Sequence, residues 1–142
     1  MAKEIFNRYE YKYLLGGKTF KRVTEIMEKY MEPDAYNINR RPYTISNIYY
    51  DTPDDYLVRK SLSKPVYKEK LRLRSYGVPK EYGRVFLETK KKFGGIVNKR
   101  RTDLELEEAY GFIKSSKAPE KREYMNFQVV REIEYFLSHR RL

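Results

Sequence analysis

Apolar and polar positions alternate along this chain at two different periods, and the changes of period mark its elements. Residues 5–14 are rich in aromatic side chains and alternate, which predicts a strand. Its two faces carry Arg8, Glu10 and Lys12 on one side and Ile5, Tyr9, Tyr11 and Tyr13 on the other, and Gly16-Gly17 closes it. Over residues 18–31 the period lengthens. Phe20, Val23, Ile26, Met27, Tyr30 and Met31 recur at helical spacing, and Pro33 marks the stop. A second strand is predicted over 42–50, around Ile45 and Ile48-Tyr49-Tyr50. Thr52 as N-cap, Pro53 in the first turn and the acids Asp54 and Asp55 then predict a short helix running to about Leu62.

Three more strands follow. Residues 66–76 place Lys68, Lys70, Arg72 and Arg74 at period two, with Tyr67, Leu71 and Leu73 in the opposite parity. Residues 84–92 set Phe86, Glu88, Lys90 and Lys92 against Val85 and Leu87. Gly94-Gly95 forms a hairpin turn, and residues 96–104 return with Val97, Lys99, Arg101 and Asp103 in one parity. From 105 onward the pattern is helical. One piece passes through Tyr110 and Ile113; another holds Val129, Ile133 and Phe136-Leu137; a polar link from Lys114 to Arg122 joins them. Five strands and several helices make an α+β fold.

Composition narrows the chemistry. The 142 residues suit one domain with one core. No apolar run approaches the roughly 20 residues of a membrane span, and the start of the chain carries no apolar signal region. The absence of Cys excludes disulfides and thiolate metal sites. The single histidine, His139, argues against His-rich zinc sites and a Ser-His-Asp triad, and its terminal His-Arg-Arg setting reads as surface. A soluble cytoplasmic domain is the expectation. The formal net charge is +11, and it is not evenly spread. Between Arg59 and Arg101 stand 15 Lys or Arg against Glu69, Glu81 and Glu88, while the remainder is close to neutral. A single-sign field of this kind calls for an anionic partner.

The period of the cations says which kind. Charges on one face of a strand repeat at about 6.6 Å, twice the rise per residue, which suits an extended polyanion better than one small ion. A concave wall of such cations implies a bound anion, because leaving them unpaired in a closed space is costly. Glu10 and Glu88 lie within that wall. Two readings of them stand: ligands for Mg²⁺ or Mn²⁺ bridging to phosphate, or neutralising partners, Glu10 for Arg8 or Lys12 and Glu88 for Lys90. The 15 tyrosines read as core and rim packing before base stacking.

Five stretches carry a family resemblance: Arg8-Tyr9-Glu10-Tyr11-Lys12-Tyr13, Ile48-Tyr49-Tyr50-Asp51-Thr52-Pro53, Leu71-Arg72-Leu73-Arg74-Ser75-Tyr76-Gly77, Leu87-Glu88-Thr89-Lys90 and Val97-Asn98-Lys99-Arg100-Arg101. Their order resembles VTC domains, the polyphosphate polymerase domains of the vacuolar transporter chaperone type, within the triphosphate tunnel metalloenzyme superfamily. The resemblance covers nearly the whole chain. It implies an antiparallel β-sheet forming part of a triphosphate-tunnel β-barrel flanked by helices, and metal-dependent transfer of the γ-phosphoryl of ATP to inorganic polyphosphate. Lys12, Arg72, Arg74, Lys90 and Lys99 match the family's phosphate-contacting positions, with Arg101, Lys92 and Arg8 as additions. The superfamily opens with Glu-x-Glu-x-Lys; Arg8 here replaces the first acid, which favours the polymerase branch. The implied cofactor is Mn²⁺ or Mg²⁺. The family continues into further strands bearing the principal metal-binding Glu, so residues 1–142 correspond to its N-terminal portion, and a second copy completing the open sheet is one expectation. A nucleic-acid-binding basic sheet and a metal-dependent triphosphatase are the alternatives.

Overall fold

The computed structural model describes the backbone of residues 5–8 and residues 11–33, 37 and 43–140 in full. The elements in chain order are β1 (Ile5–Arg8), α1 (Gly17–Met27), β2 (Ile45–Tyr50), α2 (Tyr56–Leu62), β3 (Tyr67–Tyr76), β4 (Arg84–Phe93), β5 (Ile96–Glu105), α3 (Leu106–Ser115) and α4 (Phe127–Arg140). The strands form one antiparallel sheet in the order β1-β5-β4-β3-β2. Among the described residues it is an open sheet, not a closed barrel. No described helix is long and apolar enough to cross a membrane.

Alternation along β3, β4 and β5 sorts side chains into two faces. Leu71, Leu73, Val85, Leu87 and Leu104 are buried on one face. Against them pack Phe112 from α3 and Val129, Val130, Ile133, Phe136 and Leu137 from α4, with Leu57 of α2 closing the same core. Truncating any one of these leucines to Ala would cost about 2–5 kcal/mol in transfer and cavity terms. Polar clasps hold α4 in register. Arg100 pairs with Glu132 at 2.6 Å, Arg140 pairs with Glu69, and the backbone N–H of Asn126 donates to Thr102 Oγ1 at 3.0 Å. α3 begins with a capping box in which Glu105 N–H donates to Glu108 Oε2 at 2.9 Å. With α2, α3 and α4 packed on one face, the other face of the sheet is left for the cations.

The predicted strands 42–50, 66–76, 84–92 and 96–104 and both C-terminal helices are present, with ends moved by one to three residues. The β4–β5 hairpin turns on Gly94 and Gly95, both at positive φ (53° and 89°), as a two-residue mirror-image turn requires. Two expectations are corrected. The strand predicted over 5–14 is described over Ile5–Arg8, and residues 11–16 have no regular structure. Arg8 lies opposite Val97, one residue from the start of β5 at Ile96, so the partner backbone runs out into the turn before Tyr11 is reached. Lys12 therefore sits on a connecting segment, and Tyr9 and Glu10 lie outside the described residues. The second correction concerns α2, which starts at Tyr56 rather than at Pro53. Asp55 N–H donates to Thr52 O at 2.9 Å and Asp55 takes a left-handed conformation (φ 57°), so a turn intervenes. Asp51 then caps the helix alongside Thr52, whose hydroxyl accepts from Tyr56 N–H at 3.0 Å.

Candidate phosphate-binding site

Sheet register brings the cations of separate strands into rows. Lys68 faces Lys92; Lys70 faces Lys90, which faces Lys99; Arg72 faces Glu88, which faces Arg101; Arg74 faces Phe86, which faces Asp103. These four rows cover about 20 Å along the strands. Like charges directly opposite one another on neighbouring strands destabilise a sheet, so the first two rows need a reason to exist.

At the hairpin end the rows open into a cleft of about 600 Å³. Lys12, Lys68, Lys70, Lys90 and Lys92 line it together with Tyr11, Tyr49, Ser61, Gly95 and Val97, and among the described residues no carboxylate does. Lys68 Nζ donates to the carbonyl of Ser61 at 3.2 Å, and Lys70 Nζ lies 5.7 Å from the centre of the Tyr49 ring. Lys12 from a connecting segment, Lys68 and Lys70 from β3, and Lys90 and Lys92 from β4 thus bring five ammonium groups to one hollow.

Toward the other end the cations are engaged by the protein itself. Glu88 is 1% exposed, and its two oxygens meet different partners. Oε2 accepts from Arg72 Nε at 2.8 Å and from Arg72 Nη2, while Oε1 pairs with Lys99 Nζ at 2.8 Å. Burial works against the charge on Glu88, but the bonds from Lys99 and Arg72 outweigh it and hold the carboxyl below its ordinary value. Arg72 Nη1 donates to the Tyr49 hydroxyl at 3.1 Å. Partial burial would raise the Tyr49 phenol; the Arg72 hydrogen bond and the charges of Arg72, Lys70 and Arg74 outweigh this and lower it. Arg74 Nε donates to Asn47 Oδ1 at 2.9 Å. The Arg101 guanidinium, 7% exposed, lies 4.5 Å from the centre of the Phe86 ring.

Sequence-predicted residues therefore divide. Lys12, Lys90 and Lys92 gather in the cleft; Arg72, Arg74, Lys99 and Arg101 form the second zone on the same face. Arg8 pairs with Val97 in the ladder, and its side chain lies outside the described set, as does the whole of Glu10. Lys68 and Lys70 join the site although only their period pointed to them. Tyr49, read from sequence as packing, bridges the two zones. Among the described residues, donors for a divalent cation do not assemble here. Among the described residues no group of three His, Asp or Glu could hold a metal ion, and both oxygens of Glu88 are already committed to cations.

The face is thus a basic wall with a lysine cleft at one end and a buttressed arginine cluster at the other. Set against models of known protein families, the chain matches the one described as VTC domain over residues 7–142. No curated protein compared with it matches.

Proposed function

The chain belongs to the VTC domain family, and from that premise we propose that it is a polyphosphate polymerase-like domain that binds ATP and inorganic polyphosphate along its basic face. The observation that carries the reading is the cleft itself: five lysines, from a connecting segment and strands β3 and β4, around about 600 Å³, with no carboxylate in its lining among the described residues. Lysine ammonium groups act as point charges on phosphate oxygens and tolerate many placements along a chain. Arg72 and Arg74 present guanidinium forks, held in place by Glu88, Tyr49 and Asn47. In the transfer, a terminal oxygen of polyphosphate forms a bond to the γ-phosphorus of ATP as the bond to the β-phosphate oxygen breaks, and ADP leaves. Such a step asks the protein mainly for positioning and neutralisation of charge, which aligned cations supply.

The test is calorimetric titration of polyphosphate, with and without Mn²⁺ and at stated salt, against the wild-type chain and the double variant Lys70→Ala, Lys92→Ala. The expected result is a loss of affinity of at least tenfold with unchanged melting behaviour. Gel electrophoresis with ATP then separates chain growth from simple release of orthophosphate, the triphosphatase outcome. Retained affinity in the variant, or an RNA oligonucleotide that displaces polyphosphate, would overturn the reading.

A further inference from the structure

Beside the lysine cleft lies a smaller pocket of about 210 Å³, lined by Tyr49, Tyr50, Asp51, Leu57, Val58 and Lys70. Tyr49 and Lys70 border both cavities, so the two adjoin. Their chemistry differs. The cleft offers five ammonium groups, whereas the pocket offers the aliphatic walls of Leu57 and Val58, two aromatic side chains and one carboxylate, with the shared Lys70 at its border with the cleft.

That carboxylate is fixed in place. Asp51 Oδ1 accepts from the backbone N–H groups of Thr52 and Leu57, each at 2.8 Å, and Oδ2 accepts from Val58 N–H at 2.8 Å. A stationary negative charge repels phosphate, so an anion entering from solvent is steered to the lysines and excluded from the pocket. A carboxylate oxygen accepts more than one hydrogen bond, and Oδ2 has a single backbone donor. The pocket therefore suits an uncharged flat ring that carries N–H or O–H donors and can lie against an aromatic face. A ligand that satisfies both cavities at once must join such a ring to a chain of phosphates.

We propose that the smaller pocket receives the base of a nucleoside polyphosphate whose phosphates lie in the lysine cleft, with Tyr49 and Lys70 at the junction. The inference rests on the polyphosphate reading of the cleft and adds where the nucleoside is recognised. It assigns Val58, Asp51 and Tyr49 to the choice of a nucleotide over a bare phosphate chain.

The experiment compares ATP with methyl triphosphate, which has the same charge and no nucleoside, by calorimetry. The wild-type chain is measured beside Val58→Trp, a substitution at a 44% exposed position of α2 that fills the pocket. Stacking and burial of the base predict that the wild-type chain binds ATP roughly tenfold more tightly than methyl triphosphate. V58W should remove that difference and leave methyl triphosphate affinity unchanged, and the smaller filling Val58→Met should narrow the difference part-way. Equal affinities in the wild-type chain, a comparison that needs no variant, would overturn the proposal. So would a difference that survives both substitutions. Failure of either triphosphate to bind at all is a separate result: it defeats the reading of the cleft and takes this inference with it.

Discussion

Replacing Glu88 by Gln keeps the shape of the side chain and removes one charge from the middle of the basic wall. At about 4 Å between charge centres and an effective dielectric near 20, each of the two facing cations gains about 4 kcal/mol from that carboxylate. Desolvation offsets part of this while the cluster is intact. Once Glu88 is neutral, Arg72 and Lys99 keep their desolvation and lose their partner. Removing one member of a buried pair costs about 3–5 kcal/mol. The side chains of Arg72 and Lys99 retain 13% and 16% of their exposure, which places the loss at the low end, about 3 kcal/mol. For a chain of this size that lowers the melting temperature by about 10 °C. The assay is thermal unfolding followed by circular dichroism, first at pH 7.5 and then through a pH series. The sign of the pH effect follows from Glu88's carboxyl lying below its ordinary value in the folded state. Its contribution is complete above the unfolded-state value near pH ~4.3 and is lost as pH falls through the folded-state value. The wild-type chain should therefore lose stability on that acid limb, and E88Q should show a shallower one. Tripolyphosphate should raise the melting temperature of E88Q more than that of the wild-type chain, since it replaces the missing negative charge. An E88Q variant that melts within about 2 °C of wild type, the range of an ordinary surface change, would refute the reasoning.

Tyr49→Phe leaves the ring that lies near Lys70 and Arg72 but deletes the hydroxyl that accepts from Arg72 Nη1. Loss of an intramolecular hydrogen bond worth about 1 kcal/mol predicts a melting temperature lower by about 3 °C, read by thermal unfolding. Asp51→Ala removes the acceptor of three backbone N–H groups at the start of α2. The expected cost is about 1–2 kcal/mol, and hydrogen exchange at the Leu57 and Val58 amides should accelerate. Polyphosphate affinity should fall steeply with salt, and Lys92→Ala should make that dependence shallower, whereas loss of a cation remote from the cleft, as in Lys114→Ala, should leave the slope unchanged.

Much of this fold is written in period. Strand β3 buries one parity more deeply than the other, so Leu71 and Leu73 against Lys70 and Arg72 leave little choice of face. Period alone does not supply a partner, and the N-terminal strand shows the consequence. Alternation continues through Tyr13, yet a strand needs a neighbouring backbone, and the register of Arg8 opposite Val97 takes the ladder to the hairpin turn. The partner of Glu88 was illegible for a related reason. On its own strand the nearest cation of the same face is Lys90, about 6.6 Å along the chain, whereas pairing places Arg72 directly opposite at about 5 Å. Which residue stands opposite depends on the hairpin connections. Arg101 is opposite too, on the other side, but its guanidinium lies over Phe86 and the diagonal Lys99 takes the second oxygen. α1 was legible as an amphipathic helix, and among the described residues none of its side chains is buried.

The separation of lysines from arginines along the face follows from what each side chain can tolerate. Lys68 opposite Lys92, and Lys70 opposite Lys90 opposite Lys99, are like-charge contacts that oppose folding. Long hydrated ammonium side chains reduce that cost by spreading into an open cleft, which is where four of these five lie. Arginine guanidinium groups in the deeper rows have less water around them, and there the sequence supplies an acid, an amide, a phenol and a benzyl ring as partners. The two ends should then respond in opposite ways to substitution. Removing a cleft lysine weakens anion binding while relieving repulsion, so the ligand-free protein should be as stable as wild type or more so. Removing Arg72 leaves Glu88 buried with a single cation, so stability should fall before binding is even measured. A chain in which Lys70→Ala destabilised and Arg72→Ala did not would mean that the strand rows do not carry the charges in the order described.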